Sequence, residues 1–150
     1  MNAITTTPWH LWVVGFLGLL FTLYGGYDYT MSQLGDREYM EAAMAPAGID
    51  VDAALDYFGN FPLWVDFVWA LGVWGAVAGS VLLLLRSRFA LQAYLASLVG
   101  LFASNAYSLA NPMPGMTDSA FTMVAVAIVV IVMLLLTFYA WRMTVRGVLR

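Results

Sequence analysis

Two carboxylates and one carboxamide stand out in a chain that is otherwise strongly apolar. Asp66 lies one turn inside an apolar stretch that begins near Pro62, Asp28 ends an earlier apolar stretch, and Asn105 lies near the end of a third. Carboxylates within a membrane are costly and usually face a cavity, a partner or an ion path. The three side chains are predicted at similar depth, where they could form a proton relay or a cation site. The alternative is a structural role, in which tyrosine or tryptophan hydrogen bonds, or Arg37, cap Asp66.

Two tryptophans, Trp69 and Trp74, lie deeper in the same apolar stretch as Asp66. Large aromatic rings contribute both to packing and to the recognition of flat molecules. Packing or lipid contact is the ordinary interpretation of these rings. The functional alternative is a wall for a lipid, a quinone or a pigment such as a carotenoid.

Residues that usually bind metals or carry out catalysis are scarce. The chain has one histidine, His10, and no cysteine, so disulfides and thiolate metal sites are excluded. A haem would need a second axial ligand, and only Met143 stands at a matching depth. Thioethers could bind Cu(I), but we interpret the methionines of the two longer loops as apolar packing: Met31, Met40, Met44, Met113 and Met116. We predict no metal site, no cofactor and, without a nucleophile–base pair or a phosphate loop, no enzyme.

The elements that position these residues follow from composition and length. Hydrophobic residues make up 63% of the 150 residues and charged residues 10%, which excludes an ordinary soluble domain. The net charge of −3 gives no basic surface for nucleic acid. Spanning a bilayer takes about 20 helical residues, and four apolar stretches reach that length: 9–29, 62–85, 89–110 and 120–141. We predict one all-α domain over 1–150, an integral membrane four-helix bundle surrounded by lipid.

The distribution of charge predicts an orientation. Five of the six arginines lie between spans two and three or after span four: Arg86, Arg88, Arg142, Arg146 and Arg150. Both places are on one side of a four-span bundle, and the positive-inside rule makes that side cytoplasmic. The predicted location is a bacterial inner membrane with both termini in the cytoplasm.

The outer loop, at about 31–61, is long enough to hold structure. Asp36 can cap a short helix that runs to about Met44, and Asp50 can cap a second helix over about 51–58. We predict that these helices form an acidic extracytoplasmic lid between spans one and two. The alternative is an ordinary linker with frayed helices.

Small residues at helical spacing predict which spans pack together, because association in lipid depends on close packing. The packing positions in spans one to three are Gly15, Gly18, Gly25, Gly72, Gly75, Gly79, Ser97, Gly100 and Ser104. Span four has no such stripe, so it is predicted to face lipid or a partner.

Several strings resemble a family of small four-helix inner-membrane proteins of alphaproteobacteria. They are TPWHLWVVG (7–15), GYDY (26–29), FPLWVD (61–66), ALGVWG (70–75) and LRSRFA (85–90). The resemblance covers nearly the whole chain. It implies the membrane location and the four spans, and it implies no catalytic or binding residue.

The sequence has small-residue packing positions on three spans and no recognisable set of catalytic residues. This combination favours a non-enzymatic accessory or assembly protein. It would associate with itself as a homo-oligomer or join a larger membrane protein complex. One alternative is a minimal transporter, or a cation- or proton-binding protein, that uses Asp28, Asp66 and Asn105. Another is lipid, quinone or pigment binding beside Trp69 and Trp74.

Overall fold

The structure, a computed structural model, describes residues 7–113, 115 and 119–150 and is built from α-helices. Four of the helices are long and apolar enough to cross a membrane, which confirms the predicted all-α membrane bundle. The helices are α1 (Trp9–Leu34), α2 (Arg37–Met44), α3 (Val51–Gly59), α4 (Leu63–Leu84), α5 (Phe89–Ala110) and α6 (Ala120–Val145), with a 3₁₀ turn at Ala45–Ala47.

Helix α1 runs more than a turn beyond the end expected at Tyr29. It stops at Leu34 because Gly35 adopts a left-handed conformation, at φ 63°, and its N–H turns back to the carbonyls of Met31 and Ser32. Glycine is favoured there because it has no Cβ to strain this conformation. Because α1 is longer than expected, it includes Gln33, which lies beyond the apolar segment on the side of the lid. At the other end of the chain, α6 likewise continues beyond the expected Trp141 to Val145.

The two short helices form a compact lid. The Asp36 carboxylate accepts a hydrogen bond from the Tyr39 N–H at 2.8 Å, and the Asp50 carboxylate accepts one from the Ala53 N–H at 3.0 Å. These are the N-caps that the sequence predicts, and each satisfies a backbone donor that the helix itself leaves unpaired. The lid has a small apolar core of its own, formed by Met40, Ile49, Ala54 and Met113.

The closest packing in the bundle lies between α4 and α5. A Cβ built on Gly72 would lie 3.0 Å from the Leu101 backbone nitrogen, and one built on Gly100 would collide with the backbone of Val68 and Gly72. The Ser97 hydroxyl donates a hydrogen bond to the Gly72 carbonyl across the same contact. Backbones can approach this closely only where both helices carry glycine.

The other predicted packing positions differ in their contacts. Gly15 and Gly18 on α1, Gly75 on α4 and Gly79 on α4 all lie against side chains of neighbouring helices. Gly25 was predicted to join them, and this is wrong: a Cβ on Gly25 would meet nothing within 4 Å.

Gly26 on α1 and Ser104 on α5 show which positions bond or pack against a neighbouring helix and which do not. It is Gly26 that packs against another helix, with a Cβ there lying 3.6 Å from the Trp74 ring. Ser104 donates its hydrogen bond to Leu101 of its own helix instead of to a neighbour. Near the lid end of α1, the packing position is therefore one residue further along than expected, whereas Gly15 and Gly18 pack as predicted.

A buried chain of hydroxyls links three helices. Thr22 on α1 donates to Ser80 on α4 at 3.2 Å, and the Ser80 hydroxyl lies 2.9 Å from that of Tyr94 on α5. All three residues are buried. Hydroxyls in lipid need partners because water is absent, so this chain both satisfies them and aligns the three helices.

We expect Gly100→Ala to destabilise the bundle by about 1–3 kcal/mol, the usual range for overpacking. The added methyl would force the backbones of α4 and α5 apart. Gly25→Ala is the matched control, because that position is on a helix of the same bundle and has open space. Denaturant unfolding of both variants in mild detergent measures the difference. Equal stability of the two variants would contradict the packing described here.

Candidate functional site

Asp66 is half-buried at the lid end of α4 and has a partner on α1. The Gln33 side-chain amide donates a hydrogen bond to Asp66 Oδ1 at 3.0 Å. The alternative in which Arg37 caps Asp66 is wrong, because Arg37 pairs instead with Asp52 in the lid, at 2.6 Å. Gln33 was missed because span one was expected to end at Tyr29. Its spacing of one turn from Tyr29 places both residues on the α4-facing side of a longer helix.

Asp28 has a different partner. Its carboxylate accepts a hydrogen bond from the Tyr39 hydroxyl at 2.6 Å. Burial raises the pKa of Tyr39 well above its usual value, and the hydrogen bond to Asp28 and the charge of that carboxylate raise it further. Tyr39 therefore stays a hydrogen-bond donor, and the pair fastens the lid helix α2 to α1.

Asn105 makes no contact that would bring it together with the carboxylates. Its side-chain amide donates to the Leu101 carbonyl of its own helix at 2.8 Å. Asp28, Asp66 and Asn105 thus have three separate hydrogen-bond partners. Within the described parts of the chain, no group of three or more His, Asp or Glu side chains is arranged to bind a metal ion.

The two deeper tryptophans do not form a common wall. Trp69 belongs to an aromatic cluster beneath the lid, with ring centroids 4.8 Å from Tyr29, 5.5 Å from Phe58 and 5.9 Å from Phe61. Trp74 instead lies against Gly26 and is 48% exposed on the outside of the bundle. Trp69 therefore joins the lid to α1 and α4, and the two indoles point in different directions.

Two shallow hollows lie at the lid end. One is bordered by Asp56, Tyr57, Asn60, Tyr107 and Asn111, and the Tyr57 hydroxyl donates to the Asn111 carbonyl across it at 2.8 Å. The other is bordered by Asp36, Glu38 and Tyr39, among others. Both are open on the lid surface, and their carboxylates give them negative charge.

Most of the described residues that were considered as haem or copper ligands take part in a hydrogen bond or in apolar packing. His10 Nδ1 shares a hydrogen bond with the Tyr139 hydroxyl, which links α1 to α6. Met143 is buried in the bundle core. Met40 and Met113 fill the lid core and Met44 packs against it, while Met116 lies outside the described residues.

Helix α6 is attached to the bundle along only part of its length. Its buried residues, Met133, Leu136, Thr137, Ala140 and Met143, all lie in the second half. In the first half, the residues from 120 to 128 are exposed except for the half-buried Thr122. Nine consecutive helical residues point in every direction around the axis. Apart from contacts with the 3₁₀ turn of the lid, the first half of α6 therefore has little cover from its own chain.

An apolar stripe continues along the exposed side of the whole helix. Its members follow alternating steps of four and three residues and are all exposed: Ala120, Val124, Ala127, Ile131, Leu134, Phe138 and Trp141. Steps of four and three give the 3.5-residue period with which two helices pack side by side. We name this set the α6 stripe.

No protein-family model, curated protein or solved structure matches this chain. Function is therefore inferred from the contacts and surfaces of the molecule itself. Three features bear on function. Asp28, Asp66 and Asn105 have separate hydrogen-bond partners, and the lid is held to α1 by the hydrogen bond between Tyr39 and Asp28. The third feature is the exposed α6 stripe.

We expect Tyr39→Phe to loosen the lid, since a hydrogen bond to a charged group contributes about 1.5–3 kcal/mol. The variant removes the donor to Asp28 and leaves the ring in place. Hydrogen exchange of the backbone amides in 37–59 should become at least several-fold faster. Tyr24→Phe is the control, because the Tyr24 side chain is 68% exposed and its loss of a hydroxyl should leave the lid unchanged. Unaltered exchange in the Tyr39 variant would show that the lid is held by other contacts.

Proposed function

We propose that this protein is a non-enzymatic membrane component that assembles with a second copy of itself through α6. The observation that carries the proposal is the α6 stripe, an unbroken apolar surface that the chain does not cover. In an isolated bundle, the first half of α6 would be held by its contacts with the 3₁₀ turn of the lid and otherwise only by lipid. A partner helix would bury the stripe and fix that half in place.

The spacing of the α6 stripe supports another helix, packed alongside α6, as the partner. A 3.5-residue period keeps one seam facing a neighbour when two helices cross at about 20°. Ala120 and Ala127 are small members of the seam and permit close approach, while Val124, Ile131 and Leu134 supply bulk between and beyond them. Packing of this kind is what drives helix association where the surrounding lipid is as apolar as the helix.

A second copy of the chain meets these conditions without a further component. Two copies inserted in the same orientation would present the same stripe, and a two-fold axis along the membrane normal would pair α6 with α6 in parallel. Isologous contacts of this type are the commonest basis of homodimers. A larger complex with another protein is the competing arrangement, and the experiment below distinguishes the two.

The setting of the polar groups supports assembly over transport. A transport path through one chain would require Asp28, Asp66 and Asn105 to share a site, and each is instead held by its own partner. The hydrogen bonds of Asp28 and Asp66 join α1 to α2 and to α4. These carboxylates therefore contribute to the architecture that presents α6.

We also propose that the protein lies in a bacterial inner membrane with both termini in the cytoplasm. Support comes from the arginines, five of which lie at the end of the bundle opposite the lid. Cationic residues are retained on the cytoplasmic side during insertion. The acidic lid then lies on the outer surface.

Cysteine cross-linking tests self-association directly, because the chain has no native cysteine. Val124 is in the α6 stripe, and Val126 is an exposed valine at nearly the same depth, about 160° around the helix. We expect Val124→Cys to form a disulfide-linked dimer when native membranes are oxidised. Val126→Cys is the matched control and should stay monomeric.

Three outcomes would overturn self-association. No cross-link from Val124→Cys would leave α6 facing lipid, and equal cross-linking of both variants would indicate random collision. A product whose mass includes a different protein would replace the second copy with that partner.

Orientation is tested by labelling intact cells with a maleimide that does not cross membranes. Ala45→Cys, at the exposed 3₁₀ turn of the lid, should be labelled in intact cells. Ser87→Cys, in the turn between α4 and α5, should be labelled only after the cells are opened. The reverse pattern would show that the arginine-rich end faces outward.

A further inference from the structure

Three arginines converge where the chain between α4 and α5 meets the end of the sequence. The Arg88 N–H donates to the Arg150 carbonyl at 2.9 Å, and the Arg150 N–H donates to the Arg86 carbonyl at 2.7 Å. These two backbone hydrogen bonds hold Arg150 beside the turn. Arg142 and Arg146, one turn apart at the end of α6, complete the set. We name these five residues the arginine cluster.

The backbone that carries the cluster is held in place mainly by contacts other than those of its charges. Val148 and Leu149 are buried in the bundle core and anchor the segment that ends at Arg150. The Arg86 guanidinium donates to the Thr7 hydroxyl at 2.7 Å, and Arg86 itself has a left-handed backbone at φ 56°. A residue other than glycine keeps this conformation only where its surroundings impose it. The backbone positions of the turn and of the chain end are thus determined by packing.

No acidic side chain in the described part of the chain pairs with these arginines. The ion pair found among residues 7–113, 115 and 119–150 joins Arg37 to Asp52 in the lid, at the opposite end of the bundle. The described carboxylates all lie in the lid, near the end of α1 or in the first turn of α4. Arg88 and Arg142 lie over the rings of Phe89 and Phe138, at 5.3 and 6.0 Å. Five like charges with no acidic side chain beside them attract anions from outside.

Aromatic residues place the cluster at the level of lipid headgroups. Trp9, Trp12 and Trp141 lie near the same end of the bundle, with exposed fractions of 76%, 50% and 49%. Exposed tryptophans favour the interface between hydrocarbon and water. The anions that are concentrated at this level of a membrane are phosphodiesters of its lipids, and guanidinium groups bind phosphate through paired hydrogen bonds.

We infer that the arginine cluster is a binding surface for anionic phospholipid headgroups. Lipids such as phosphatidylglycerol present a phosphate without a cation of their own, so they match the uncompensated charge. Phosphatidylcholine carries a compensating trimethylammonium group and fits less well. The inference requires one copy of the chain and holds whether or not α6 pairs with a second copy.

Native mass spectrometry of the full-length protein tests the inference. The protein is reconstituted in vesicles of phosphatidylcholine and phosphatidylglycerol in equal parts, then extracted in mild detergent. We expect retained lipid to be enriched in phosphatidylglycerol. Each arginine near a membrane surface contributes enough to change binding about fivefold, so the double variant Arg88→Gln, Arg150→Gln should bind this lipid about 25-fold less. Both side chains are exposed, and the backbone hydrogen bonds of these residues are unaffected by the changes.

Arg37→Gln is the control, since it removes one positive charge at the other end of the molecule and should leave lipid retention unchanged. A second readout needs no variant: raising the salt concentration should reduce retention of phosphatidylglycerol by the wild-type protein, because ions screen exposed charges. Equal retention of the two lipids, or equal loss in the control and the double variant, would overturn the inference. So would retention that is insensitive to salt.

Discussion

The contact between Gly72 and Gly100 is the constraint on which the rest of the bundle depends. The α4 and α5 backbones touch there, and Ser97 adds a hydrogen bond to the Gly72 carbonyl. Lipid supplies no hydrophobic force between helices, so this close backbone packing substitutes for it. Once α4 and α5 are fixed, Ser80 and Tyr94 meet, and their hydroxyls give Thr22 of α1 a partner. Helix α1 is thereby held in one rotation against α4.

The two ends of this core are closed in different ways. At the acidic end, Trp69 beneath the lid joins α3 to α1 and α4, and Tyr39 fastens α2 to Asp28. At the other end, backbone hydrogen bonds join Arg150 to the turn between α4 and α5. Parallel pairing through α6 would bring two arginine clusters side by side. Anionic headgroups between them would reduce their mutual repulsion, so the two proposals are physically compatible.

Polar side chains on the long helices hold neighbouring helices together through hydrogen bonds. Asp28 and Asp66 are the residues whose type alone suggested a proton relay or a cation site, and the structure engages each with a neutral donor, from Tyr39 and from Gln33. A carboxylate that accepts a hydrogen bond within a protein gains some of the stabilisation that water would otherwise supply. This arrangement leaves α6 as the element with unsatisfied packing, which is why assembly is the function we propose.

The sequence by itself determined the all-α class, the four long helices and the two capped lid helices, because hydropathy and capping depend on residues within one or two turns. It also showed which helices are rich in small residues. Only the tertiary structure decided that Gly26 and not Gly25 packs against α4, that Arg37 pairs with Asp52, and that Gln33 meets Asp66. The physical reason is rotation. Adjacent residues differ by about 100° around a helix, so the side-chain partner is fixed by how each helix turns on its neighbour, which the local pattern does not specify.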